Sequence, residues 1–156
     1  EYIFECLNDN SNFDDLFIKK INEIINKDIK DTEGDRKTAV FIRGSDHIPP
    51  TAEKIPNLMF YFIDNYNNYQ GEDIFTKVAK FHIEFEKIHP FEDGNGRTGR
   101  ILINYELLKN NIEPIVIEKE DRAKYFELLR NEDIENMAKW FEELSMREKE
   151  RIENYK

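Results

Sequence analysis

Apolar side chains recur along this chain three and four positions apart, the period of a helix with one buried face. Leu16, Phe17, Ile21, Ile24 and Ile25 form one such stripe. Ser11, with Asp14 three positions on, is the expected cap of the helix that carries it. Tyr2 to Leu7 reads as the end of an earlier helix. A helix opening at Thr51 or Pro56 runs to about Asn65, and Asp73 caps another that runs toward His89. Val78, Phe81, Phe85 and Ile88 lie on one face of that helix, and Pro90 stops it, because a residue before proline leaves the α region. Arg100 to Lys109 is the next helix, and Glu113-Pro114 breaks the pattern. Asp121 to Arg130 and Ile134 to about Asn154 complete the set. Between the first and second groups the period changes. Residues 31–36 are polar around Gly34 and read as a turn. Thr38 to Arg43 is short and β-rich, Gly44-Ser45-Asp46 turns, and His47-Ile48 returns until Pro49-Pro50. This predicts a small β-hairpin, which must lie against the helical body because two strands alone are marginal in water.

The 156 residues suit one domain spanning 1–156, and 39% apolar content with 12 Phe and 7 Tyr supports a sizeable core. No apolar run reaches the length of a membrane span. The start lacks both Met and the basic-then-apolar layout of a signal peptide, so the chain reads as a trimmed piece. Cys6 stands alone among apolar neighbours, which excludes an internal disulfide and suggests a core position in a reducing, cytoplasmic setting. With 23 Lys and Arg against 33 Asp and Glu, the net charge of -10 disfavours nucleic acid. The one compact cationic feature is Arg97 with Arg100.

That pair sits in His89-Pro90-Phe91-Glu92-Asp93-Gly94-Asn95-Gly96-Arg97-Thr98-Gly99-Arg100. Residues 94–99 spell G-x-G-x-x-G, yet a helix precedes them where a dinucleotide fingerprint needs a strand. No P-loop is present either. The physical content of the run is different. Glycines allow the backbone a tight turn and a close approach to a ligand. The turn feeds a helix N-terminus, whose unpaired N–H groups attract an anion. Arg97 and Arg100, at i and i+3, oppose the helix macrodipole at about 0.3–1 kcal/mol each unless an anion lies between them. Asp93 adds a carboxylate suited to Mg²⁺ beside phosphates. His89, with an ordinary pKa of roughly 6.5, suits a general base. Each residue has a plainer reading as a cap, a surface ion pair or a turn; their concentration within twelve residues favours a reaction site.

The run resembles the active-site motif of the Fic (Fido) family, H-P-F-x-[D/E]-G-N-[G/K]-R-x-x-R, at every fixed position. The likeness extends to Val40–Pro50 with Ile55-Pro56, and to Ile115-Val116-Ile117 with Arg122 and Tyr125. It implies a mainly α fold, a Fic/Fido-type helical bundle with a small β-hairpin flap. It also implies an adenylyltransferase that moves AMP from Mg-ATP to a Ser, Thr or Tyr hydroxyl of a protein, self-modification included. By that resemblance His89 is the base and Asp93 the Mg²⁺ ligand. Gly94, Asn95, Gly96, Arg97, Thr98, Gly99 and Arg100 hold the phosphates, and Phe91 anchors the loop. Gly44, Ser45, Asp46 and His47 belong to the flap, on which a protein substrate docks near residues 40–48. Tyr125 and Asn131 are candidates for the adenosine side. His82 is expected to be a buried, hydrogen-bonded support, and His47 a flap residue.

Many members carry an inhibitory helix, [S/T]-x-x-x-E-[G/N]. Neither Glu33-Gly34, with Ile29 four before, nor Glu153-Asn154, with Lys149 four before, matches it. The resemblance places that helix upstream of residue 1, and its absence favours AMP transfer over AMP removal. A relative that transfers phosphate carries Lys where Gly96 stands, so Gly96 favours nucleotidyl transfer. Transfer of another nucleotide, and a protein-binding module with a vestigial pocket, are the rival readings. The family also self-associates, which leaves a homodimer open.

Overall fold

The computed structural model describes every residue except 31, 32 and 72. Seven α-helices are present among the described residues: α1 Tyr2–Asn8, α2 Asp15–Asn26, α3 Ile55–Asn67, α4 Ile74–Ile88, α5 Asn95–Lys109, α6 Arg122–Arg130 and α7 Ile134–Asn154. Short 3₁₀ turns, Ala52–Lys54 and Lys119–Asp121, lead into α3 and α6.

Local chemistry sets these boundaries. Asp14, not Ser11, caps α2, its Oδ1 accepting from Phe17 N at 2.8 Å. Asp73 precedes α4 as expected, accepting from Phe75 N and Thr76 N at 2.9 and 3.1 Å. Helix α5 starts at Asn95, five residues ahead of the expected Arg100, because the glycine-rich run itself winds into the first turn. Asp133 caps α7 through Asn136 N at 3.1 Å.

The chain divides into two compact units, with boundaries inside α4, between Ile83 and Glu84, and inside α5, between Leu102 and Ile103. One unit holds residues 1–10, 71–83 and 103–156. Its core gathers Val78, Ile83, Leu107, Tyr125, Trp140 and Phe141, among others. Asn104 pins the stretch after α5, accepting from Ile115 N at 2.8 Å and donating to Ile115 O at 3.0 Å. His82 is buried there, its Nε2 2.7 Å from the hydroxyl of Tyr125, in the supporting role expected of it. Cys6 is buried in the same unit.

The other unit holds residues 11–70 and 84–102, and with them the whole of the His89–Arg100 run. Its core is aromatic. Phe13 stacks on Tyr66 with centroids 3.7 Å apart, and Phe62 meets Phe85 at 5.8 Å. Phe85 in turn meets Phe91 at 6.4 Å. Phe91 is 1% exposed, so one turn of the run is nailed into the core by a side chain worth about 1.5–3 kcal/mol of burial.

The predicted hairpin is not formed: no strand is present among the described residues. Residues 38–50 run as an irregular segment with a turn at Arg43-Gly44, where Gly44 takes φ +78°. Ser45 N donates to Ile42 O at 3.1 Å, and His47 N to Ser45 Oγ at the same distance. The carbonyls at the two ends of the segment, Thr38 O and Pro50 O, accept from the Arg36 side chain and not from a partner strand. The first two residues of the predicted polar turn, 31 and 32, lie outside the described residues. No helix is long and apolar enough to cross a membrane among the described residues.

Candidate active site

Residues 89–100 form a loop followed by the first turns of α5, and buried amides hold that loop in shape. Asn22 and Asn26 stand one helical turn apart on the inner face of α2, 2% and 1% exposed. Asn22 Nδ2 donates to the carbonyl of Asp93 at 2.8 Å and to Thr98 Oγ1 at 3.1 Å. Asn26 Nδ2 donates to the same carbonyl at 3.2 Å and to Asn22 Oδ1 at 3.2 Å. Asn26 Oδ1 accepts from Arg97 Nη2 at 3.0 Å. Asn95 closes the loop on itself, its Oδ1 accepting from Phe91 N at 2.9 Å and its Nδ2 donating to Phe91 O at 2.8 Å.

Gly94 meets two demands at once. Its φ is +78°, and a β-carbon there would stand 3.1 Å from Asn22 Nδ2 and from Asn26 Oδ1. Asn95, Gly96 and Arg97 precede the first intrahelical donor, Thr98 N, which reaches Gly94 O at 2.9 Å. Their N–H groups therefore sit at the positive end of α5, where an anion is favoured. Arg100 folds back over this turn, since a β-carbon on Gly96 would lie 3.1 Å from its Nη1. Thr98 is fully buried and Gly99 is buried, so both support the turn from behind.

Asp93 is oriented by its own loop. Gly94 N donates to Oδ1 at 2.8 Å, and Arg97 Nη2 stands 3.6 Å from Oδ2. Its side chain is 46% exposed, so a carboxylate faces outward beside the helix N-terminus. No cluster of three or more acidic, His or Cys groups suited to a metal occurs among the described residues. A lone carboxylate fits Mg²⁺, which keeps several waters and takes phosphate oxygens alongside one or two protein ligands.

His89 is half-buried just after α4, its backbone in the left-handed region at φ +51°. Its Nδ1 lies 3.3 Å from the carbonyl of Glu86. A carbonyl only accepts, so Nδ1 carries the proton and Nε2 keeps the lone pair a base needs. Burial holds the imidazole pKa below its ordinary 6.5, opposed by the Glu86 carbonyl and helped by the charges of Arg36 and His47. The neutral form therefore dominates at neutral pH.

Glu86 lies one turn before His89, and its Oε1 is buried with no hydrogen-bond partner. Burial pushes its carboxyl up to about 7, against the pull of the Arg100 cation. Near neutral pH this carboxyl is only partly ionised, which leaves Arg100 incompletely neutralised and able to meet an anion.

Gly44, Ser45, Asp46 and His47 occupy the exposed turn of the 38–50 segment. His47 Nε2 is 2.9 Å from the carbonyl of Lys87, so the segment's tip reaches the end of α4. Tyr125 and Asn131 belong to the other unit. Tyr125 is buried with its hydroxyl on His82, and Asn131 is the exposed C-cap of α6. Four residues around the motif escaped the reading of the chain. Asn22 and Asn26 leave a signal, since two amides four apart interrupt an apolar stripe. Arg36 and Glu86 leave none beyond proximity in sequence to Gly34 and His89.

Residues 12–107 match the Fic/DOC family. A probable protein adenylyltransferase of Aquifex aeolicus is 39% identical over 98 residues, which cover 63% of this chain and 30% of that protein. The chain thus spans less than a third of that relative. A C. elegans Fic-1 structure superposes with a TM-score of 0.83 at 20% identity, covering 99% of this chain and 49% of that one. The BepC protein of Bartonella tribocorum, solved with bound AMPPNP, superposes with a TM-score of 0.64 at 18% identity, over 85% of this chain and 74% of that one.

Proposed function

Since this chain belongs to the Fic/DOC family, we propose that it transfers AMP from Mg-ATP to a hydroxyl of a protein. The observation that carries the reading is the pairing, within one loop, of a neutral imidazole with a free Nε2 and a helix N-terminus flanked by two arginines. Relatives named as adenylyltransferases, and AMPPNP in the BepC structure, supply the nucleotide.

In this mechanism the N–H groups of Asn95, Gly96 and Arg97, with the Arg97 and Arg100 guanidiniums, hold the phosphates. Asp93 would hold Mg²⁺, which supplies charge neutralisation on the phosphate oxygens. His89 Nε2 accepts the proton of the attacking hydroxyl. The hydroxyl oxygen bonds to the α-phosphorus, the bond from that phosphorus to the α,β-bridging oxygen breaks, and pyrophosphate leaves. Its developing charge falls on Arg100 and Arg97. Such chemistry rests on positioning and charge stabilisation. The exposed segment 40–48 is the docking place for the protein substrate, and a second copy of the chain serves as one such substrate.

Mass spectrometry after incubation with Mg-ATP tests this. The wild type should gain an AMP adduct on a hydroxyl, and His89→Ala should lose it while still binding Mg-ATP. Loss of a general base lowers such rates by about 10²–10⁴-fold. A wild type with neither adduct nor Mg-ATP binding would instead support a binding module with a vestigial pocket.

A further inference from the structure

Arg36 is an arginine with 2% exposure, the only cation among the buried polar residues described. Burying a guanidinium is costly unless its donors are met, and here they are met by backbone carbonyls from two separate stretches. Its backbone N donates to Pro90 O at 2.9 Å. Its Nε donates to His89 O at 2.7 Å, and Nη2 to Ile88 O at 3.4 Å. The remaining donors go elsewhere: Nη1 to Thr38 O at 3.0 Å, and Nη2 to Pro50 O. Thr38 and Pro50 are the two feet of the irregular segment.

Three consecutive carbonyls, 88 to 90, therefore share one side chain and its amide with both ends of the 38–50 stretch. His47, at the stretch's tip, adds a fourth tie through Lys87 O at 2.9 Å. The residue in the middle of that run of carbonyls is His89, whose φ of +51° lies in the left-handed region that side-chain-bearing residues adopt uncommonly. The planar, five-donor fork of arginine suits such a clamp, whereas a lysine ammonium offers three donors from one point.

We propose that Arg36 is a positioning residue that locks the 38–50 segment to the His89 turn, so that a hydroxyl presented on the segment arrives in register with Nε2. This rests on the reading of His89 as the base. It also explains how a segment with no ladder of its own keeps a defined place: its feet are held by a buried cation instead of a partner strand. Around the imidazole, Arg36 and His47 come from this segment and its approach, and the Glu86 carbonyl from α4.

The test uses Arg36→Gln and Arg36→Lys in the full chain, with three readouts. Amide hydrogen exchange should accelerate at Ser45 and His47, the hydrogen-bonded amides of the 38–50 segment, in both variants, with the aromatic core of α2 and α3 still protected. The His89 imidazole, followed by NMR titration, should titrate higher in Arg36→Gln, which removes the cation, and as in the wild type in Arg36→Lys, which keeps it. AMP transfer to the chain itself from labelled Mg-ATP should fall by about 10²-fold in both, the scale of a small misplacement of reacting groups, with Mg-ATP affinity unchanged. Unchanged exchange at Ser45 and His47, or wild-type transfer in both variants, overturns the proposal. If Arg36→Gln does not fold, Arg36→Lys decides through exchange and transfer. If the wild type itself transfers nothing, the proposed activity fails, and exchange with the His89 titration still decide whether Arg36 is the clamp.

Discussion

Glu86 offers a sharp test of the electrostatics around this site. Its carboxyl is held up at about 7 by burial, against an ordinary value of 4.5. At about 1.4 kcal/mol per pH unit, the difference corresponds to about 3 kcal/mol. The sign follows from which state binds the proton. Below pH 4.5 the carboxyl is protonated in folded and unfolded chains alike, and the full contribution to stability is present. As pH rises toward 7 the unfolded chain ionises first, so folding stability declines; beyond about 7 the whole contribution is lost. Gln cannot ionise. Glu86→Gln should therefore match the wild type near pH 4.5, apart from a constant offset for the amide's own unmet hydrogen bonds. The gap should open to about 3 kcal/mol in the variant's favour by pH 8. In a chain of this size that corresponds to about 6–12 °C in Tm. Urea denaturation of both proteins at pH 4.5, 6, 7 and 8 measures the gap directly. His89 titrates in both proteins and largely cancels in the comparison. A gap that stays constant from pH 4.5 to 8 refutes the reasoning, whatever its size.

Gly94→Ala should destabilise the chain by about 1–3 kcal/mol in urea denaturation, because it combines a left-handed backbone with a β-carbon 3.1 Å from two buried amides. Wild-type stability in that variant would show that Asn22 and Asn26 yield easily. Asn26→Ala strips one donor from Asp93 O and the acceptor from Arg97 Nη2. It should cost about 1–3 kcal/mol and weaken Mg-ATP binding by calorimetry, since Arg97 loses the contact that aims it; unchanged affinity would leave Asn26 a purely structural brace.

The helices and the chemical centre were legible because each leaves a local mark. The stripe from Leu16 to Ile25 marked α2, Asp73 marked the start of α4, and the clustering of His89, Asp93, Arg97 and Arg100 marked the site. What stayed hidden is non-local. Asn22 and Asn26 act on a carbonyl about seventy positions away, and nothing in α2 alone says which loop they brace. Thr38–Arg43 has strand composition, yet Thr38 O, like Pro50 O at the far end of the 38–50 segment, is met by the Arg36 side chain. Composition shows a preference for extended backbone; it does not show where the donors and acceptors are met. The caps failed in a smaller way: Ser11 and Asp14 are both good caps, and only the entry of Phe13 into the aromatic core selects the later one.

The brace behind the motif loop is built from Asn22, Asn26 and Asn95, all neutral amides. Such a frame has no counter-ions to exchange with the medium and no protons to trade with it. Ionic strength and moderate acid or alkali act on the cargo side of the loop, where Asp93, Arg97 and Arg100 are displayed, and leave these three struts chemically unaltered. Between Phe91 and Thr98 the loop's shape is thus set by groups indifferent to the solution, with Asn26 touching the charged side through Arg97, and its charge is carried by groups that answer to it.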